Sequence, residues 1–371
     1  YGSDFDDSLT GNNSTNELRG GDGDDALFGL GGNDRFFGGE GADSFDGGTG
    51  VDIVNYTLAT DFVRVNLTTG GIFNEAQGDS YTSIEWVFGS NFDDNITGDS
   101  GNNRLEGRDG NDDLRGEAGN DRLLGGDGDD YIRGGDGVDT IFGGNGNDML
   151  DGDAGNDFFF GGSGADMHHG GTGIDTVSYL ASSTGLTVNM SGIGSASTGD
   201  AAGDDFFGIE RIFGSGFDDI LIGGADAVTL FGNGGDDYLQ GGDENDTLIG
   251  GAGVDSYGYD VNGPSADVII GFTTNEVIYL LGNTPDFDTW AEVQAAGTDV
   301  GANVIFDFGF GATLTIVGQN LSNLDASNFD LGGTAPAAPA PAAPPPAASA
   351  LAGSDAFAGD IVNVFDMDAL I

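Results

Sequence analysis

Residues 89–178 read GSNFDDNIT GDSGNNRLE GRDGNDDLR GEAGNDRLL GGDGDDYIR GGDGVDTIF GGNGNDMLD GDAGNDFFF GGSGADMHH GGTGIDTVS, ten nonads in a single frame. Position six is Asp94, Asp112, Asp121, Asp130, Asp139, Asp148, Asp157, Asp166 and Asp175, with Asn103 the exception. Position eight is a large apolar residue, from Ile96 and Leu105 to Phe159 and Val177, with His168 the exception. One apolar residue at a fixed phase in each nonad predicts a six-residue turn followed by a three-residue strand whose middle side chain points inward. A flexible Gly/Asp linker would not keep that phase.

Glycines at positions one, two and four permit positive φ and let carbonyl oxygens converge with no Cβ between them. Carbonyl and carboxylate oxygens together suit a hard cation with six to eight ligands, so the pattern points to Ca²⁺ rather than Zn²⁺. Two nonads make a coil of eighteen residues with a turn on each side. Aspartates of one edge then recur as Asp112, Asp130, Asp148 and Asp166, those of the other as Asp121, Asp139, Asp157 and Asp175. An ion between successive turns would share the carboxylates above and below it.

The nonads form three blocks, Gly2–Asn55, Gly89–Ser178 and Gly214–Gly258. Outside the central block, position six supplies the further candidate Ca²⁺ ligands Asp7, Asp25, Asp34, Asp43, Asp52, Asp219, Asp237, Asp246 and Asp255. Its only exceptions, Asn16, Asn103 and Val228, all fall in the second nonad of their block. The opening nonads match as well, GSDFDDSLT, GSNFDDNIT and GSGFDDILI, and so do the closing segments GTGVDIVNY, GTGIDTVSY and GAGVDSYGY. The larger repeat is therefore a module of about a hundred residues.

Between blocks lie related inserts, Tyr56–Phe88 and Tyr179–Phe213. Each holds an alternating strand (FVRVNL, GLTVNM) and ends in a second (SIEWVFGS, GIERIFGS). They are expected to pair or stack, closing one roll and opening the next. Glu85 and Glu210 occupy equivalent places, read as a solvated strand face or as additional Ca²⁺ ligands. In the other modules the opening nonad follows I-E-x-[VI]-F, whereas here only Tyr1 precedes it, so the chain is expected to be a piece of a longer protein. After Tyr259 the nonads stop and Asp260–Gly333 reads as β-rich, with a hairpin turning at Gly309–Gly311 and one helix at Trp290–Ala296 capped by Thr289 and Glu292. The predicted fold is all-β: tandem parallel β-rolls, a β-helix-like solenoid, with β-rich inserts and a carboxy-terminal β cap. Modules are expected at 1–88, 89–213 and 214–331, then an extended Pro/Ala linker at 332–350 and a tail at 351–371.

Composition narrows the function. A net charge of −54 argues against nucleic acid and anionic membrane surfaces as partners, and without a cation it predicts a disordered chain. The chain has no Cys, hence no disulfide and no thiol chemistry, and no apolar run long enough to span a bilayer. Its two histidines, His168 and His169, are adjacent, and His168 takes an inward slot as a core residue. Paired acids such as Asp129–Asp130 belong to the repeat rather than to a glycosidase pair. Arg104, Arg115, Arg122 and Arg133, at positions seven and nine, are expected to point outward and screen the acidic turns. No residue is assigned a catalytic role, and the chain is read as a non-enzyme.

Across Gly2–Gly258 the sequence resembles the repeats-in-toxin (RTX) family, and the stretch after Tyr259 is similar to the β cap that follows many such rolls. Where the family cap carries carboxylates, this chain has Gly271 and Asn275–Glu276, a departure that argues against a metal site in the cap. The resemblance implies Ca²⁺-dependent folding outside the cell, several Ca²⁺ ions, and export by a type I machinery that reads an uncleaved carboxy-terminal signal in a Gram-negative bacterium. Two functions follow: a secreted structural protein of a surface layer, filament, adhesin or matrix, or the calcium-binding export region of a larger secreted enzyme or toxin. The apolar residues of Leu351–Ile371 suggest docking on an adjacent copy to give a filament, or a signal with no later role.

Overall fold

The computed structural model describes residues 1–192, 197–282 and 287–332. The linker and tail expectations, from 333 to 371, lie outside the described residues. Within them the chain is a right-through stack of parallel β coils with one α-helix, Trp290–Ala296. Coils repeat every eighteen residues: Leu105 pairs with Leu123, Leu123 with Ile141 and Ile141 with Phe159 on one face, and Leu114 with Ile132 and Ile132 with Leu150 on the other. These position-eight side chains are fully buried and form the core between the faces. Two buried side chains per coil cannot by themselves offset the backbone entropy of the eighteen residues they order.

The two faces differ in continuity. One is a single sixteen-stranded sheet that runs from Glu17–Asp22 through all three blocks to the cap hairpin. The other is broken into sheets of four, seven and six strands. The inserts cause the breaks without interrupting the long sheet. In the first insert, Trp86–Phe88 pairs with Ile53–Asn55 on one side and Arg104–Asp109 on the other, so it is simply the next rung. Ser80–Thr82 pairs with Ser44–Asp46 and closes the four-stranded sheet, while Arg64–Asn66 pairs with Asn95–Thr97 and opens the seven-stranded one. The second insert repeats this plan with Arg211–Phe213, Asp205–Phe207 and Thr187–Asn189. Of the two arrangements expected, pairing does not occur: the two alternating strands of an insert join ladders on opposite faces. Each joins a ladder already set by the eighteen-residue register, where its backbone groups find partners without a new sheet.

The cap follows the reading closely. Asn303–Gly309 and Ala312–Ile316 form the antiparallel hairpin, and the Thr289–Glu292 capping box starts the helix. No described helix is long and apolar enough to cross a membrane.

Candidate metal centres

The turns are built around the position-six aspartates. All but the first of each block use Oδ1 to accept the backbone N–H of the position-six residue one coil earlier: Asp112 N–H to Asp130 at 2.8 Å, Asp130 to Asp148 at 2.9 Å, and Asp121 to Asp139 at 2.7 Å. This fixes every carboxylate in one orientation along each edge. The exceptions Asn16, Asn103 and Val228 donate their N–H to Asp34, Asp121 and Asp246 in the same way, but each stands at the first turn of its edge.

The other oxygen is different. In Asp25, Asp34, Asp43, Asp52, Asp112, Asp121, Asp130, Asp139, Asp148, Asp157, Asp166, Asp175, Asp237, Asp246 and Asp255, Oδ2 is buried and has no hydrogen-bond partner. It faces the position-one glycine of its own nonad. An added Cβ at Gly125 would overlap Asp130 Oδ2 and lie 2.7 Å from the carbonyl oxygen of Gly143. Position one thus owes its glycine to the space held open there; positive φ belongs to positions two and four, as at Gly126 (φ 125°) and Gly128 (φ 139°). Burial pushes these carboxyls up, to about 7 for Asp130, against the lowering effect of the Asp112 N–H and with help from the neighbouring Asp148 carboxylate. Asp112 and Asp237 are pushed up to about 8, again chiefly by burial.

Rows of buried carboxylate oxygens without partners are costly unless protons or cations join them. An all-oxygen set, carboxylate plus carbonyl, in a pocket that a single Cβ would fill, fits a bare hard cation, and the resident Ca²⁺ would be held by these aspartates and the carbonyls beside them.

Asp7, Asp94 and Asp219, the first of each block, are placed differently. Ser90 donates its N–H to Asp94 Oδ2 at 2.6 Å and its hydroxyl to Oδ1 at 2.8 Å. Ser215 treats Asp219 identically, and Ser3 gives both its N–H and its hydroxyl to Asp7 Oδ2. A local serine satisfies these carboxylates where the others are left open.

Six further acids, outside the nonad frame, end the rows. Asp43 and Asp166 donate their N–H to Asp79 and Asp204, Asp52 and Asp175 to Glu85 and Glu210, Asp246 to Asp267, and Asp255 to Glu276. Glu85 is half-buried in this role rather than fully solvated, and Asp267 and Glu276 bring buried carboxylates into the cap, where no metal site was expected. The closing tyrosines also act here: Tyr56 donates to Asp79 Oδ2 at 2.5 Å and Tyr179 to Asp204 Oδ2 at 2.6 Å. His168 is fully buried at position eight, and burial pushes its pKa down to about 4, so the ring is neutral at pH 7. The arginines mostly serve the sheet surface: Arg104 pairs with Glu106, Arg115 with Asp113, and Arg122 lies 4.5 Å over the Phe142 ring. Arg133 also reaches the turn residue Asp153 at 3.1 Å.

A family described as "RTX calcium-binding nonapeptide repeat (4 copies)" matches residues 1–36, 19–54, 28–63, 88–123, 115–150, 142–177, 204–227 and 229–257, more than half of the chain. Among solved structures the chain is similar to the extracellular lipase LipA from Serratia marcescens, at 18% identity and a TM-score of 0.24, over 58% of this chain and 40% of that one. The chain thus spans less than half the length of that lipase. No curated protein matches it.

Proposed function

The chain belongs to the RTX calcium-binding nonapeptide repeat family and binds Ca²⁺ at multiple sites, and from that premise we propose that it is a secreted protein that folds on Ca²⁺ outside the cell and serves there as a structural or assembly element. The observation that carries this reading is the set of fifteen buried, unpartnered aspartate oxygens arranged in rows. A fold whose core is thin and whose edges are anionic depends on its cations. Such a chain stays unfolded where free Ca²⁺ is scarce, which suits export through a type I machinery, and it compacts where Ca²⁺ is plentiful. The ligands in this reading are the open position-six aspartates, with the row-ending acids completing the last coils.

The structural role draws support from the long sheet. Its fourteen parallel strands, at ~4.8 Å spacing, make a continuous ladder of roughly 60 Å. The modules 1–88, 89–213 and 214–331 are then units of sequence duplication along one ladder. The test combines circular dichroism with micrographs of the native material, in millimolar Ca²⁺ and after EGTA with residual metal measured. β structure and ordered assemblies that appear with Ca²⁺ and vanish with chelator are expected. β structure that persists at pH 8 after the metal is gone overturns the folding reading. A native polypeptide that folds on Ca²⁺, forms no assembly and carries a catalytic domain overturns the structural role.

A further inference from the structure

The rows of oxygen ligands change character at one place. At the close of the second block, Asp166, His168 and Asp204 are all buried, and one ligand atom from each lies within 4.8 Å of the other two. Asp166 Oδ2 has no hydrogen-bond partner. The Asp205 backbone hydrogen-bonds weakly to the His168 ring, outside strict geometry, and can meet at most one of its two nitrogens. A core histidine ordinarily has its ring nitrogens satisfied. The carboxylate and the ring converge: a Cβ added at Gly161 would overlap Asp166 Oδ2 and sit 2.9 Å from His168 Nε2.

The first block supplies the comparison. Its equivalent closing coil has Phe45 where His168 stands and Tyr81 where Phe206 stands, each pair in the same register. There the polar atom is the Tyr81 hydroxyl, and it is satisfied by Tyr56 at 2.6 Å, which in turn donates to Asp79. In the second block Phe206 stacks on His168 at 5.4 Å with the rings 8° apart and holds the imidazole in place. Tyr179 orients Asp204, and the imidazole has only the Asp205 backbone as a weak partner. A ring nitrogen has been moved into the carboxylate row, next to Asp166 Oδ2.

We propose that Asp166, His168 and Asp204 form a site for one borderline divalent ion of the Zn²⁺ or Co²⁺ class, which takes the place of the last Ca²⁺ of its row. Three protein donors, one of them imidazole, are too few oxygens for Ca²⁺ and leave a tetrahedral ion one position for water. Two carboxylates balance the charge of the ion. Tyr179 acts as the outer partner that fixes Asp204, as such ligands usually require. The inference rests on the calcium-dependent fold proposed above, because the three residues meet only in the coiled chain.

The probe is Co²⁺, added to protein folded in millimolar Ca²⁺, read by visible absorption and by metal analysis. About one Co²⁺ per chain with intense four-coordinate bands, displaced by Zn²⁺, is expected. H168F should abolish it while keeping the Ca²⁺-induced circular dichroism, since Phe45 fills the same slot in the first block. D204N should weaken it by about tenfold or more, as loss of a charged ligand does. Because the chain has two histidines, ¹⁵N-histidine spectra of the intact protein give an independent reading, assigned with H169N. Zn²⁺ should shift the His168 ring. Folded protein that takes up no Co²⁺, or whose bands survive H168F, or in which only the His169 ring shifts, overturns the site. Absence of β structure in Ca²⁺ would instead be the failure of the folding reading.

Discussion

Mid-block turns and opening turns use the same aspartate for different purposes. At Asp130 the turn has glycine at positions one and two, Oδ1 receives Asp112 N–H, and Oδ2 faces an open space. At Asp94 the position-two residue is Ser90, and its N–H and hydroxyl take both oxygens. A single serine supplies the donors that the mid-block carboxylate lacks. The lesson is that a conserved-looking motif position within one chain does not fix its chemistry; the residue four places earlier decides whether the carboxylate looks outward for a cation or inward for a donor.

The largest effect separating the two kinds of turn should come from pH. In the metal-free fold, burial pushes Asp43, Asp121, Asp130, Asp148 and Asp157 up to about 7. An unfolded aspartate titrates at ~3.9, so between these values the folded chain holds more protons than the unfolded one. Stability of the metal-free fold is therefore fully present below the unfolded value and is lost as pH rises through about 7. In buffer stripped of Ca²⁺, β structure should be strongest near pH 4 and gone by pH 8, whereas in saturating Ca²⁺ acidification should weaken ion binding because protons compete for the same oxygens. Circular dichroism across pH in both buffers checks this, and a metal-free β signal that grows with pH would break the picture of open mid-block carboxylates.

A smaller, local effect is expected from a single methyl group. Gly125→Ala puts a Cβ against Asp130 Oδ2 and the Gly143 carbonyl in a turn of ordinary φ, so it closes the ligand space at no cost in φ but must push that carbonyl aside. It should raise the Ca²⁺ midpoint of folding by about tenfold, or about 1.4 kcal/mol per affected site. Gly216→Ala in the third opening turn meets nothing within 4 Å and should change the midpoint by less than about twofold. Equal effects in a calcium titration would mean that the space at position one is not where the ion sits.

The nonad period carried most of the coil: one apolar phase and an eighteen-residue spacing were enough to place the core and both edges. The row-ending acids were harder to see because they lie outside the frame. Asp79 and Asp204 did leave a trace, since both inserts carry A-x-G-D at matching places, Ala76–Asp79 and Ala201–Asp204. Glu85 and Glu210 were masked by strand alternation. Their N–H groups share the Asp52 and Asp175 carbonyls with those of Trp86 and Arg211, and this irregularity brings each glutamate to the end of its row. His168 was correctly placed in the core, but its stacking on Phe206 and its approach to the Asp166 carboxylate depended on a distant insert, and a linear pattern cannot show that.

The smallest contrast is between aspartates themselves. Asp130→Asn lies mid-row, with Asp112 and Asp148 on either side, and should lower Ca²⁺ affinity and cooperativity by about three- to tenfold. Asp94→Asn removes a carboxylate already closed by Ser90, so its cost should appear in thermal stability, at about 1 kcal/mol, with little change in calcium stoichiometry. Isothermal titration of both variants sharpens the comparison. Equal loss of ions from the two would mean that Ca²⁺ displaces the serine cap and that the opening turns are ligands after all.

The uninterrupted ladder of the long sheet makes the length of this molecule a quantity that changes in steps. Inside a block, excising one coil such as Gly116–Arg133 would bring Asp112 beside Asp148 and Leu114 beside Leu150 with every neighbour of the same kind as before. Every coil repeats the same frame, so gain or loss of whole coils would change the length while leaving the ends of each row, with their serine caps and closing acids, untouched. Selection on such a protein can therefore act on reach and ion capacity together, one coil at a time, without passing through a misfolded intermediate length.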